Sequence, residues 1–434
     1  MRALVINPWI YDFAAYDLWS KPIGLFRLIH ILKELKFEVD LIDCLDRFHP
    51  ALARIKKPTR YTTRFGDGKY LTEMVEKPLL FSLVPRRFKR YGMPLEIFHQ
   101  EIAGLAEPDI IFINSGMTYW YPGPFEAIRI ITERFKSPVV LGGVYARLCS
   151  EHAKDKSGAD LVFTGQTDSD VVEAINLVLK ADFRPPALGN LDHYYTGYHY
   201  YEQLKYLTLR TSRGCPFRCS YCGWYNVDRS SVQYDPDEVV SLIIHFHKQG
   251  IRDFAFYDDA LLFKTERHFL KIFTPLSRKG LNIRFHTPNG LHYQYVNRDV
   301  ARTMKMVNFV HPRFGLEDIT LKDRNFDFFR NTIDNLLDAG YRRGDISANI
   351  LVGLPGQKPG DVDRTIVAVA DLGIKIHLEE YSPVPGSEDF ARAGLQPSDD
   401  PLLHNNTAYL IMHPIFGREI KKIKRRVKEI NSSI

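Results

Sequence analysis

Three cysteines fall within eight residues, Cys215, Cys219 and Cys222, in the stretch Arg213-Gly-Cys-Pro-Phe-Arg-Cys-Ser-Tyr-Cys-Gly-Trp224. Thiolate is a soft ligand, and three on so short a loop can take three corners of one metal centre, either zinc or an iron–sulfur cluster. A structural zinc site is normally closed by four ligands, often as two C-x2-C pairs. No second pair exists here, because Cys44 and Cys149 are isolated and distant. Three ligands with an open fourth corner suit a four-iron cluster whose unique iron takes a small molecule. The plainer alternatives are a partly ligated zinc or three packed thiols. Cys44 ends a strand pattern and Cys149 opens a helix pattern, so both read as packing thiols.

Small and polar residues recur behind this loop wherever an apolar run stops. Strand patterns at 206–210, 252–258, 282–287, 309–316, 345–352 and 375–381 alternate with helical ones. The rhythm predicts a partial (β/α)6 TIM-barrel, with its site at the strands' C-terminal ends. Cys-x3-Cys-x-aromatic-Cys, with Tyr221 as the aromatic residue, resembles the signature of radical S-adenosylmethionine (radical SAM) enzymes. The resemblance implies a 4Fe-4S cluster on Cys215, Cys219 and Cys222 that chelates S-adenosylmethionine and cleaves it reductively to methionine and a 5′-deoxyadenosyl radical. It also implies polar contacts to that molecule from Asp258 and Asp259 after the second strand, Asn289 after the third and Glu317 after the fourth. Gly353, after the fifth, would lie near where the adenine packs. Gly353-Leu-Pro-Gly-Gln-Lys358 lacks the spacing of a phosphate loop.

Residues 1–182 read as five β/α steps, hence a doubly wound parallel sheet. Leu25, Leu28, Ile29, Leu32 and Leu35 share one helical face, and strand patterns follow at 39–44, 109–114, 138–141 and 161–163. The strand ends carry Ser115-Gly-Met117, Gly142-Gly143 and Gly165, where glycine admits a bulky ligand close to the backbone. The dinucleotide fingerprint G-x-G-x-x-G is missing. Ser-x-(Leu/Met) followed by Gly-Gly instead resembles the cobalamin-binding Rossmann-like domain that precedes the barrel in some radical SAM enzymes. Asn7-Pro-Trp-Ile-Tyr-Asp12 and Lys21-Pro-Ile-Gly24 stand where relatives that bind cobalt through histidine carry Asp-x-His-x-x-Gly. The resemblance therefore implies cobalamin with neither a histidine nor its own base on cobalt, and methyl transfer to an unactivated carbon. A vestigial or substrate-binding domain is the plainer alternative.

The domain reading is 1–182 Rossmann-like, with an aperiodic basic insertion at 47–93 as a lid or a surface excursion. A linker at 183–203 rich in tyrosine, the barrel at 204–390 and an extension at 391–434 follow. Ile420, Ile423, Val427 and Ile430 share a helical face among lysines and arginines, so peripheral membrane contact is one expectation and a closing helix with a solvated charged side the other.

Of 434 residues, 45% are hydrophobic and 25% charged, ordinary for a soluble protein. A net charge of +6 is too mild to imply nucleic acid. Five cysteines, three of them in one metal motif, point to a reducing cytoplasm. Met1-Arg-Ala-Leu-Val-Ile runs straight into a strand pattern, so no signal peptide is expected, and no apolar run reaches the ~20 residues of a membrane helix. Expected partners are an unidentified small-molecule or lipid-like substrate and an external one-electron donor of the flavodoxin or ferredoxin type. The alternatives are a radical SAM enzyme that closes a ring or rearranges without methylating, a cobalamin or redox sensor, and an RNA-binding module. A methylthiotransferase would need a second cysteine-ligated cluster.

Overall fold

The structure, a computed structural model, describes residues 1–55, 62–321 and 325–434. The chain divides into two compact units. The first comprises Met1–Leu204, Val384–Gly386 and Gln396–Asn405; the second comprises Lys205–Pro383, Ser387–Leu395 and Asn406–Ile434.

The strands of the first unit are β1 (Arg2–Asn7), β2 (Ile10–Asp12), β3 (Glu38–Asp43), β4 (Thr72–Met74), β5 (Lys89–Tyr91), β6 (Ile110–Ile113), β7 (Val139–Leu141) and β8 (Leu161–Val162). Five form a wholly parallel sheet in the order β3-β1-β6-β7-β8. The order reverses between β1 and β6, the switch point at which such sheets bind ligands. Both faces are covered, which is why β1 reads as an unbroken apolar run. Ala3 and Val5 pack with Leu25, Ile29 and Leu32 of the helix Ile23–Glu34, and with Ile175 of the helix Asp168–Leu179. Thr167 and Asp170 close a capping box at the start of the latter helix.

The insertion at 47–93 is folded, over the part the structure describes. Its β4 and β5 join β2 in an antiparallel ribbon, order β2-β5-β4. Strands of three residues are too short for a period to show in the sequence. Arg47 staples the insertion by donating to Asp17 at 2.9 Å, both side chains being buried, and to the Gly66 carbonyl at 2.9 Å. The segment at 183–203, read from the sequence as a linker, belongs to the first unit. Its helix Asp192–Tyr198 lies against the helix Ile23–Glu34, with Tyr198 4.9 Å and Tyr201 5.9 Å from the Phe26 ring.

The second unit contains β9 (Leu207–Leu209), β10 (Ser212–Arg213), β11 (Val232–Gln233), β12 (Asp253–Phe256), β13 (Arg284–His286), β14 (Arg313–Glu317), β15 (Ser347–Val352) and β16 (Lys375–Glu380). β9, β12 and β13 form one parallel sheet and β14, β15 and β16 another. Single parallel bridges, Phe285 to Phe309 and Leu291 to Phe314, tie the two together. The result is six parallel strands in chain order, each of the six sequence patterns giving one, as an open (β/α)6 arc requires. The outer faces are apolar: Phe254, Phe256, Phe314, Ala348, Ile350, Val352 and Ile376 are all fully buried or nearly so. Proline and a capping acid open the helix Pro236–Lys248, where the Asp235 carboxylate accepts from the backbone of Asp237 and Glu238.

The extension at 391–434 is divided: Gln396–Asn405 goes with the first unit and Asn406–Ile434 with the second. Its helix Phe416–Ser433 buries Phe416, Ile420, Ile423 and Val427, and Lys424 and Arg426 pair with Glu380 and Asp363. The apolar face that a membrane-lying helix would need is therefore inside the fold.

Candidate active site

The loop bearing Cys215, Cys219 and Cys222 leaves the end of β9 and is pinned at several points. At its entry, Asp258 accepts from the Thr211 backbone at 2.9 and 3.0 Å, from the Thr211 hydroxyl at 2.8 Å and from the Ser212 hydroxyl at 2.6 Å. This carboxyl is buried; burial raises its pKa against the lowering effect of those bonds. His268 reaches the same Thr211 hydroxyl at 2.9 Å, and burial drives its pKa down to about 4, so it stays neutral. Arg213 and Ser230 bind Asp228, and Ser220 binds Asp389 at 2.8 Å. Phe217, within the loop, stacks on His292 at 4.5 Å.

The loop turns back on itself where the Cys222 N–H donates to the Cys219 carbonyl at 3.0 Å. All three thiols are free of disulfides. Burial pushes the Cys215 thiol up to about 11, helped by Asp259 and by the other two thiols, and Cys222 lies in the field of Cys219, Asp259 and Glu317. The three thiols thus lie within electrostatic reach of one another and of Asp259, and Cys222 within reach of Glu317, at the C-terminal ends of the arc's strands. Among the described residues no three His, Cys, Asp or Glu groups are gathered closely enough to hold a single metal ion. A four-iron cluster takes one thiolate per iron, so its ligands stand further apart than those of one ion. The donor set fits such a cluster by chemistry and by position on one pinned loop.

The predicted residues around the thiols separate into two kinds. Asp258 and Gly353 serve the backbone: Asp258 holds the loop entry, and the Gly353 N–H donates to Gln357 at 2.9 Å, while Gln357 itself donates to Asp318 at 2.7 Å. Asp259 and Glu317 face the thiols. Burial pushes the Asp259 carboxyl up to about 6, with Arg210 and the nearby Trp224 indole opposing, and its Oδ2 is buried without a well-formed hydrogen bond. Glu317 ends β14 at φ 67°, past a register shift, and its carboxylate folds back over Gly315, where a Cβ would stand 2.6 Å from Oε1. A side chain at Gly315 would displace it. Asn289 is exposed in the turn after β13, and Tyr221 is half-buried beside Cys222.

Sequence reading missed a polar lining on the face of β14–β16 opposite the apolar one. Register sets Asn349 beside His377 and Leu351 beside Glu379. Arg313 approaches Glu379 at 3.6 Å, too long for a hydrogen bond. The Asn349 Oδ1 is buried without a partner. Burial, with Arg313 and Lys375 nearby, drives His377 down to about 4, and burial raises Glu379. Alternation of polar residues along Lys375-Ile-His-Leu-Glu379 was the available signal.

In the first unit the signature residues meet mainly each other. The Ser115 hydroxyl donates to the Gly142 carbonyl at 2.6 Å and accepts from the Ala146 N–H at 3.1 Å. Gly143 has φ 103°, and a Cβ there would stand 2.2 Å from the Ser115 carbonyl, so this glycine is required by the fold itself. Gly165 is closed off by Asp170, whose Cβ would lie 2.4 Å from an added methyl group. Gly142 differs: a Cβ there meets only Phe163, at an ordinary contact distance of 3.7 Å, so a side chain can be accommodated. Beside the switch point lies a second unforeseen network. Asn114 donates to Asn7 at 3.0 Å, Asn7 to Asp43 at 2.7 Å, and Tyr201 to Asp43 at 2.7 Å, with Lys21 3.7 Å above the Tyr201 ring. It was illegible because four separate segments supply it. Cys44 is fully buried and Cys149 half-buried with its thiol raised to about 12, consistent with packing roles.

Residues 209–369 match the family model described as the Radical SAM superfamily. The comparison with curated proteins finds no match. Among solved structures, the chain resembles the radical S-adenosylmethionine methyltransferase TsrM from Kitasatospora setae with tryptophan substrate and the SAM analog aza-SAM bound. The TM-score is 0.62 at 13% identity, over 90% of this chain and 75% of that one. The same enzyme with cobalamin and a 4Fe-4S cluster bound matches at TM-score 0.57 and 14% identity, over 90% and 77%. At such identity the likeness is one of fold. Residues 209–369 thus match a radical SAM domain, and the chain shares with those structures the fold of a Rossmann-like unit followed by an open β/α arc.

Proposed function

We propose that this chain is a radical SAM enzyme that methylates an unactivated carbon with the help of cobalamin. The observation that carries the reading is the grouping of Cys215, Cys219 and Cys222, on a loop pinned by Asp258, within electrostatic reach of the buried carboxylate of Asp259. When bound, the cluster would supply the one electron that splits S-adenosylmethionine, and cobalamin would supply a methyl carrier. The three cysteines would hold the cluster. Asp259 and Glu317 would take the positive amino group of S-adenosylmethionine, a charged partner for the buried Asp259 carboxylate. Asp258 would act at one remove, fixing the backbone that aims the thiols. The polar lining of Asn349, His377, Arg313 and Glu379 offers hydrogen bonds and charge to a substrate inside the arc. In the first unit, Gly142 would leave a cradle at the sheet's C-terminal edge that suits a broad planar group, between the Ser115 and Gly165 loops. An external donor of the flavodoxin or ferredoxin type would deliver the electron.

Two observations favour a second reading, a radical SAM enzyme without methyl transfer. Ser115 and Gly143 are explained by packing within the first unit, which would then serve as a scaffold. The test is anaerobic reconstitution with iron, sulfide and cobalamin, followed by dithionite and S-adenosylmethionine. Release of 5′-deoxyadenosine together with retained cobalamin supports the first reading. Release without any bound cobalamin moves the assignment to the second, and no release defeats both.

A further inference from the structure

The connection between β4 and β5 contains a short helical turn, Leu79–Phe81, and what it buries contrasts with what it leaves in water. Phe81 and Val84 are fully buried, Phe81 lying 5.0 Å from the Phe13 ring and 5.5 Å from that of Phe88. The Lys77 ammonium donates to the Val84 carbonyl at 2.8 Å, closing the turn. The leucines between and beside these anchors point outward: Leu79 is 93% exposed, Leu83 78% and Leu80 42%. A packed base with three solvated leucines at its tip is a rigid apolar point, since the anchors prevent it from folding inward. Exposed clusters of this kind mark contact surfaces. The surrounding charge is one-sided. Residues 72–91 carry five lysines and arginines against two glutamates, and one glutamate, Glu73, is already paired with Arg90.

We propose that this turn docks the enzyme on an anionic membrane surface. Leu79, Leu80 and Leu83 would enter the boundary between headgroups and acyl chains, while Arg86 and Arg87, both exposed, meet lipid phosphates. The shape and the charge select this occupant. A projecting turn of a few residues offers no groove for a peptide or helix, and a cationic collar around an apolar tip complements an anionic interface. The inference is independent of the chemistry assigned to the second unit. It also relocates the membrane contact from the helix Phe416–Ser433, whose apolar face is buried.

The test is flotation of the full chain with vesicles of equal parts phosphatidylcholine and phosphatidylglycerol, and with phosphatidylcholine alone. The expected result is flotation with the anionic vesicles, reduced by added salt, and little with the neutral ones. Leu79→Ser with Leu83→Ser should weaken binding by more than about tenfold, as loss of two buried leucines implies. Arg86→Glu with Arg87→Glu should abolish it at moderate salt. An unchanged melting temperature would show that both variants remain folded. Lys421→Glu with Lys422→Glu, on the C-terminal helix, should leave flotation intact. The proposal is overturned if the wild type stays unbound. It is equally overturned if the leucine variant floats as well as wild type, or if only the helix variant loses binding. Wild-type dimers that become monomers in the leucine variant would assign the tip to a second copy of the chain instead.

Discussion

Adjacent carboxylates, Asp258 and Asp259, stand at the end of one strand and have opposite occupations. Asp258 accepts four hydrogen bonds from Thr211 and Ser212, whereas Asp259 is buried with an Oδ2 that accepts no well-formed hydrogen bond, the Trp224 indole lying nearby. Two substitutions separate them. Asp259→Asn should leave melting temperature and iron content close to wild type while weakening S-adenosylmethionine binding. Loss of one charge-assisted contact costs about 1.5–3 kcal/mol, about ten- to a hundredfold in affinity. Equilibrium binding to the reconstituted protein measures this, and wild-type affinity would remove Asp259 from the site. Asp258→Asn places an amide among donors and should cost on the order of 3 kcal/mol of stability, with loss of bound iron as the loop entry loosens. Replacing Cys215, Cys219 and Cys222 together by alanine should abolish iron binding and 5′-deoxyadenosine formation. Cys44→Ala and Cys149→Ala should leave iron content unchanged.

At the scale of elements, the loops after β6 and β7 provide an equally sharp contrast. Gly143→Val forces a side chain into the Ser115 backbone at a left-handed φ, so it should unfold the loop or the first unit whatever the ligand. Gly142→Val meets only the edge of Phe163 and should fold, blocking whatever occupies the proposed cradle. Retained melting temperature with lost cobalamin binding in Gly142→Val is the expected outcome; retained binding would place the cofactor elsewhere. β1, buried on both faces, was legible because such burial demands an unbroken apolar run. The ribbon β2-β5-β4 was not, since three-residue strands show no period. Neither was the duty of Asp258, whose hydrogen bonds join residues 47 positions apart. A sequence motif identifies which residue types gather, but only tertiary contacts distinguish a ligand from a brace. β16 adds a pH dependence. His377 is held near 4 in the fold, whereas an unfolded imidazole titrates near 6.5. Between those values the unfolded chain binds more protons, so stability falls as pH drops from 6.5 toward 4. Burial depresses His268 and His404 in the same way, while Asp259, raised to about 6, contributes with the opposite sign. His377→Gln should therefore flatten the acid limb of the melting-temperature profile, and an unchanged profile would show that His377 is protonated in the fold.

Across the whole molecule, the two units raise separable questions, and one reaction mixture addresses both. No helix among the described residues is long and apolar enough to cross a membrane. The radical SAM domain predicts 5′-deoxyadenosine from S-adenosylmethionine and dithionite, even slowly without substrate. On the proposed reading the first unit binds cobalamin, and its sequence restricts how cobalt would be held. The loop after β1, from Pro8 to Pro22, contains no histidine. Its two buried acids are both engaged, Asp12 by the Trp120 indole at 2.8 Å and the Asn405 amide at 2.9 Å, and Asp17 by Arg47 at 2.9 Å. No imidazole from that loop can therefore reach the metal. Electron paramagnetic resonance of the cobalt(II) form should show no nitrogen hyperfine splitting from an axial base. Splitting that persists with cobinamide, which lacks the cofactor's own base, would require a protein nitrogen. His404, held against Thr118 in the loop after β6 at 3.1 Å, is then the residue to replace first. Splitting that disappears with cobinamide would mean that the cofactor keeps its base on cobalt, which overturns the base-free reading without touching the radical SAM assignment.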